Sequence, residues 1–321
     1  GVFTDTATNI SDTVAASSTV CDGSFNCTTT IPLTPGKRIG WYVEAQKLID
    51  GINYTSYALR STYDYPAPVC ALATDTIIFS GKAFLQGAYN SGTGLMSNTL
   101  NTLGILQTNA ASQPYNTAEF SYAGTEIVGA GFFAAHTDIV DWVLIELRDA
   151  NIPATVVKAR AAFVKQDGTL VDTNGTATQI IFPGVADGNY FISVRHRNHL
   201  GIASASALSI KDTATYDFTK PSSQTFGVNG RRNQDGVMLL WGGDANLNKT
   251  TSYNGSANDK NAILAKVGLP NPNNVINGYH REDVNMDGSV RYNGAANDKN
   301  AVLSIVGLLF PNNIILGQIP N

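Results

Sequence analysis

Charge is what this 321-residue sequence has least of. Charged residues make up 14% of it, and only five are glutamates. A typical soluble domain carries about a quarter. The small net charge of −4 leaves no basic patch for nucleic acid. Long apolar runs are absent too: no stretch of 18 or more could form a membrane span. Cysteine is scarce, with three residues. Cys21 and Cys27 are separated by Asp-Gly-Ser-Phe-Asn, a turn-rich stretch that can close a small disulfide loop. Cys70 is left as a buried thiol or as a partner for either of the others. No signal peptide is visible at Gly1-Val2-Phe3, so an exported form reads as mature or trimmed.

Thr and Asn fill the space left by charge, with 31 and 30 copies. Thr favours strands and Asn favours turns. A hydrophobic content of 43% argues against disorder. Together these predict a mainly β protein of two or three domains.

Residues 1–73 read as an extended arm, with strand alternation at Ile39–Ala45 and tyrosines at 54, 57, 63 and 65. Residues 74–220 read as a run of strands. Thr76–Phe79 and Lys82–Leu85 are short candidates. Ile139–Leu147 is apolar on both faces, as a central strand is. Thr155–Val164 and Thr169–Asp172 flank the hairpin signal Gln166-Asp167-Gly168. Tyr190–Arg195 is a further strand. Residues 91–118 read as a long loop, and no strong helix is expected before residue 258. Short strands at this spacing suggest a β-sandwich. The stretch Gly188-Asn-Tyr190-Phe-Ile-Ser-Val194 resembles the penultimate strand of transthyretin-like and immunoglobulin-like sandwiches.

Residues 221–321 hold a unit that occurs twice, 39 residues apart. The first copy runs Asp244-Ala-Asn246-Leu-Asn248, Tyr253-Asn-Gly255, Asn258-Asp259-Lys260-Asn261. The second runs Asp283-Val-Asn285-Met-Asp287-Gly288, Tyr292-Asn-Gly294, Asn297-Asp298-Lys299-Asn300. Calcium takes six to eight oxygen ligands at roughly 2.3–2.6 Å, from alternate loop positions and a later carboxylate. The pattern predicts two Ca²⁺ sites. One uses Asp244, Asn246, Asn248, the Thr250 carbonyl and Asp259. The other uses Asp283, Asn285, Asp287, the Ser289 carbonyl and Asp298. In a standard loop the closing acid is twelfth; here Gly255 and Gly294 stand there and Asp259 and Asp298 are sixteenth. A helix should follow each loop, with Ile263, Leu264, Val267 and Val302, Leu303, Val306 as apolar stripes and Gly268 and Gly307 as stops. The second loop has three carboxylates and a glycine at the sharp sixth position. The first has two, and Lys249 there, where a left-handed backbone costs about 1 kcal/mol. The second site should bind more tightly.

These units resemble dockerin type I repeats, in the divergent Tyr-Asn-Gly…Asn-Asp-Lys form found on surface proteins of Bacteroidota. Leu85–Tyr89, Asp141–Asp149 and Arg195–Gly201 are similar to the β module that accompanies them. The resemblance implies a small α-helical calcium domain, and a cohesin as the usual docking partner. It also implies a place outside the cell. The leading expectation is a non-enzymatic, calcium-stabilised structural or adhesive surface protein. It would self-associate into a filament or layer by strand addition from the arm. Docking to a protein partner and glycan binding by Trp41 and the tyrosines are the alternatives.

Other candidates are weaker. His196 and His199, three apart on a strand, should face opposite sides. His136, Asp138 and Asp141 lack a nucleophile elbow. None of the glutamates (Glu44, Glu119, Glu126, Glu146, Glu282) falls in a glycosidase-type motif. Asp-Thr-apolar triplets beginning at 5, 12, 75 and 212 resemble an O-glycosylation pattern, with Thr6 and Thr13 in the arm as acceptors.

Overall fold

The computed structural model describes residues 75–320 in full and, within residues 1–74, the backbone of six strands. The chain divides into two units, Gly1–Thr74 and Asp75–Asn321. In the first, Asp12–Ala15, Val2–Asp5, Arg38–Ile49 and Ile52–Asp64 form an antiparallel sheet in that order. The expected strand at residues 39–45 lies within Arg38–Ile49. Ser18–Cys21 and Cys27–Thr30 form a separate hairpin whose register sets Cys21 opposite Cys27. The side chains of Trp41, the four tyrosines and the cysteines, and the whole of Thr6, lie outside the described residues.

The second unit is mainly β. Its central strand is Ile139–Asp149, buried from Ile139 to Arg148. That matches a run that is apolar on both faces. Val156–Lys165 and Gly188–Arg195 flank it, and Leu170–Val171, Ile202–Ala203 and Leu208–Ile210 extend the sheet. A second sheet is ordered Ile180–Pro183, Thr76–Lys82, Thr213–Asp217, with the last pair parallel. Both sheets contribute to one core, which holds Ile77, Phe79, Trp142, Phe163, Ile180 and Phe182. Trp142 packs 4.0 Å from Phe163, centroid to centroid, and its indole Nε1 donates to Ala110 at 2.8 Å.

Lys82–Leu85 is no separate strand; the first strand ends at Lys82. The expected loop 91–118 is more structured than its composition suggests. Leu95–Met96 within it pairs with Tyr89–Asn90 just before it in a short hairpin. Two helical turns follow at Thr99–Thr102 and Ile105–Asn109, and a third lies at Phe132–Ala135. Four or five residues are too few for a 3.6-residue period to show. Leu100, Leu106 and Phe133 anchor them in the core. Residues 213–217 and 231–234 are strands too.

The repeat helices are Asp259–Val267 and Asp298–Val306, ending before Gly268 and Gly307. Asn258 and Asn297 cap them, accepting from the N–H of Asn261 and Asn300. Ile263, Val267, Val302 and Val306 are buried, while Leu264 and Leu303 are half-buried. The two repeats interlock. Thr250–Ser252 after the first loop pairs with Ile314–Leu316 after the second helix. Ser289–Arg291 after the second loop pairs with Val275–Asn277 after the first helix.

Candidate functional site: two acidic loops seated on the β module

Both loops fold by the same bonds. In the first, Asp244 Oδ1 and Oδ2 accept the N–H groups of Asn248 (3.0 Å) and Lys249 (3.1 Å). Asn246 Oδ1 accepts Asn248 N–H, and Asn248 Oδ1 accepts Thr250 N–H. In the second, Asp283 accepts Asp287 N–H (3.0 Å) and Gly288 N–H (2.9 Å). Asn285 and Asp287 then accept from Asp287 and Ser289. Short Asx side chains that bond two residues onward make such turns. The backbone is left-handed at matching places: Leu247 (φ 60°) and Met286 (57°), then Lys249 (68°) and Gly288 (87°). Lys249 therefore does adopt the conformation that Gly288 takes freely.

The carboxylates at position sixteen reach back under their loops. Asp259 accepts Ala245 N–H and Ser252 N–H, both at 2.8 Å. Asp298 accepts Val284 N–H at 2.7 Å and Arg291 N–H at 2.8 Å. The four inserted residues form a clamp. Gly255 and Gly294 turn at φ 95° and 90°. Asn258 donates to the Gly255 carbonyl at 2.6 Å, and Asn297 to the Gly294 carbonyl at 2.5 Å. Lys260 bonds Asn254 and lies over the Tyr253 ring; Lys299 bonds Asn293 and lies over Tyr292. The Tyr-Asn-Gly…Asn-Asp-Lys pattern is thus a closing device for the loop.

Asp259, Asp283 and Asp298 are fully buried, and Asp244 nearly so. The partners that hold all four are backbone N–H groups. Burial pushes Asp259 up to about 7, with the Asp244 charge adding to it. Burial likewise lifts Asp283 to about 7, Asp244 to about 6 and Asp298 to about 6. Each ionised carboxylate has about four acceptor positions, so capacity for a cation remains. Among the described residues no three His, Cys, Asp or Glu side chains form a metal cluster by themselves. The donor set here is half amide oxygen, hard and oxygen-only, which suits Ca²⁺ rather than a nitrogen- or sulfur-seeking metal.

The loops sit against the β module. Met286 belongs to its core, and Leu247 packs on that core. The β-module side of this junction is Arg195-His-Arg-Asn-His199. The strand ends at Arg195, so the rule of alternating faces no longer applies beyond it. His196 and His199 meet, with Nδ1 atoms 3.0 Å apart. That overturns the expectation that they face opposite sides.

Gly87 N–H donates to His199 Nε2 at 3.0 Å, which places the His199 proton on Nδ1. His196 Nε2 faces Asp141 Oδ2 at 3.1 Å. Asp141 also takes Arg197 Nε at 3.0 Å, Tyr279 Oη at 2.5 Å and Trp142 N–H at 2.8 Å. Burial alone would raise the Asp141 carboxyl, but Arg197, His196 and Tyr279 hold it below its usual value. Burial drives His199 well below its usual pKa and lowers His196 despite Asp141, so both rings are neutral. A bulge between Ile139 and Asp141 is a device that re-aims strand side chains.

The other sequence candidates are occupied elsewhere. Asp138 pairs with Lys165 at 2.9 Å, and His136 lies against Phe132. Glu146 is buried between Arg148, Arg195 and Ser193. Beside the first loop is a cavity of about 340 Å³, lined among others by Arg148, Arg195, His196, His199, Asp244 and Lys249. Among the described residues no helix is long and apolar enough to cross a membrane. No protein-family model matches the chain, and no curated protein or solved structure matches it either.

Proposed function

We propose that this chain is a calcium-stabilised structural module of the cell exterior, in which two dockerin-like loops lock onto a β-sandwich of the immunoglobulin or transthyretin type. One observation carries the reading: two loops far apart in sequence repeat the same Asx bonds, left-handed positions and buried carboxylates. Asp244, Asn246, Asn248 and Asp259 would hold one ion, and Asp283, Asn285, Asp287 and Asp298 the other, with Thr250 and Ser289 offering carbonyls. Bound calcium adds to the positive charge of Arg291, paired with Asp287 at 2.7 Å, and of Arg197 near Asp283. The millimolar affinity range of extracellular calcium modules fits loops so rich in Asn. The shared core of two sheets supports the sandwich, and the consumed bonding capacity of His196, Asp141 and Glu146 supports a structural rather than catalytic role.

Native mass spectrometry in millimolar calcium should show two ions per chain, and chelation should lower the melting temperature. An ion at a hundred times its Kd stabilises by about 2.7 kcal/mol per site. A chain that takes up no calcium and melts identically with and without chelator refutes the reading. Docking to a protein partner is the second reading, favoured by the apolar run Leu308, Leu309 and Phe310, each more than half exposed. Capture on immobilised cohesin tests it. Light scattering with and without calcium tests self-association.

A further inference from the structure

Asn198 lies outside both loops, 46 residues before the first, yet it touches the opening residue of each. It is fully buried. Its carbonyl accepts the Asp244 N–H at 3.2 Å. Its side-chain Nδ2 donates to the Asp283 carbonyl at 2.6 Å. Its Oδ1 faces His199 Nδ1 at 2.8 Å. Because Gly87 N–H occupies His199 Nε2, His199 carries its proton on Nδ1 and donates it to that Oδ1. The amide therefore has one orientation, with nitrogen towards the second loop. Neighbouring bonds hold the same segment: Leu200 N–H to the Trp241 carbonyl at 2.8 Å, and Arg197 Nη1 to the His280 carbonyl.

We propose that Asn198 is a positioning residue shared by the two cation loops, so that filling one raises the affinity of the other. The proposal rests on the calcium reading above. An ion fixes the first residue of its loop, because that residue supplies a ligand. Fixing Asp244 fixes its N–H, and with it the Asn198 peptide. Fixing that peptide sets the side-chain amide that receives the Asp283 carbonyl. The reverse path holds equally, since coupling between binding sites is reciprocal. The interlocked strands after each helix are a second path within the repeats, so the share carried by Asn198 must be isolated by substitution.

The test is calcium titration calorimetry on the full chain. Asn248→Ala weakens the first loop and leaves the second; Asp287→Ala does the converse. The coupling factor is the product of the two wild-type association constants, divided by the product of the constants of the two single-loop proteins. It should be about fivefold in the wild type, the lower end of common allosteric coupling. It should fall towards one when Asn198→Ala is added to all three. A substitution that merely loosens the fold weakens both loops and leaves this ratio unchanged.

A wild-type factor of one, or a factor that survives Asn198→Ala, overturns the proposal. Absence of any calcium uptake by the wild type refutes the calcium reading itself, and the proposal with it. Should Asn198→Ala fail to fold, amide exchange in the Asn248→Ala protein decides. Filling the second loop should then slow exchange of the Asp244 N–H, and unchanged exchange overturns the proposal.

Discussion

Gly87 packs close against the second loop, and adding one methyl there tests the junction directly. A Cβ on Gly87 would lie 2.3 Å from the Val284 carbonyl oxygen, with His199 and Met286 also in contact at 3.4 Å. The obstructing atom is backbone, so no rotamer change relieves it. The loop must withdraw by about 1 Å to reach an ordinary contact, and overpacking of this kind costs about 1–3 kcal/mol. Withdrawal also stretches the Asn198–Asp283 bond of 2.6 Å, worth about 1 kcal/mol. The sum for Gly87→Ala is about 3 kcal/mol, or a fall in melting temperature of about 6–12 °C for a unit of this size. Scanning calorimetry on the full chain reads it. Gly129→Ala is the control: a Cβ there meets nothing within 4 Å, so the change should stay below about 0.5 kcal/mol. If Gly87→Ala melts with the control, the second loop does not rest on the β module as described.

Asp141→Asn should destabilise by about 3–5 kcal/mol in chemical denaturation, because it leaves the buried Arg197 without its countercharge; a loss below 1 kcal/mol would remove Asp141 from the centre of the network. His199 gives a pH signature with a definite sign. Its folded pKa is depressed and its unfolded value is about 6.5, so its contribution is complete above that pH and is lost as the pH falls below it. The stability of the wild type relative to His199→Gln should therefore shrink below pH 6.5, with a limiting slope of about 1.4 kcal/mol per pH unit. A pH-independent difference would show that the folded ring takes up its proton at the same pH as the unfolded one. Between the loops, the one with Gly288 should bind calcium more tightly than the one with Lys249, about fivefold for the 1 kcal/mol cost of a left-handed lysine. Equal constants in the two single-loop proteins would contradict this.

Where a local pattern carries the structure, the sequence is legible. Ile139–Leu147 reads as a central strand because both faces are apolar, and it is buried on both. The helices after each loop, with Gly268 and Gly307 as stops, read correctly because apolar spacing and a following glycine are local signals. What is not legible is contact across distance. Asp141 and Tyr279 are 138 residues apart and share a 2.5 Å bond. Nothing in either neighbourhood announces it. Strand periodicity fails for the histidines because His196 and His199 lie one and four residues past the strand's end at Arg195. One signal was present: Arg195-His-Arg-Asn-His199 is too polar for a core strand and follows directly on one. Charged residues there need partners from elsewhere. The position-four residues Leu247 and Met286 gave a second: an apolar side chain in a polar loop has to be buried against something, and that something is the β module.

That burial bears on how residues 75–320 unfold. Two separate domains would melt separately, and chelation would move only the transition of the smaller one. Here the repeats have a small core of their own, built from Ala245, Ile263, Val267, Val284, Val290, Val302 and Ile305. Even with Trp241, Tyr253, Ile276, Tyr292 and Ile315 packed partly buried against it, this is a small core for a domain. The rest of their support is borrowed: Met286 from the main core, Asn198 at both loops, and Arg197 on the His280 carbonyl. Loosening the loops therefore removes contacts from the β module in the same step. Calorimetry in calcium and in chelator should accordingly show the β-module transition itself shift, with Trp142 fluorescence tracking it, since that buried indole lies in the main core. A Trp142 signal indifferent to calcium, beside a separate calcium-sensitive transition, would mean that the repeats fold on their own and merely touch the module.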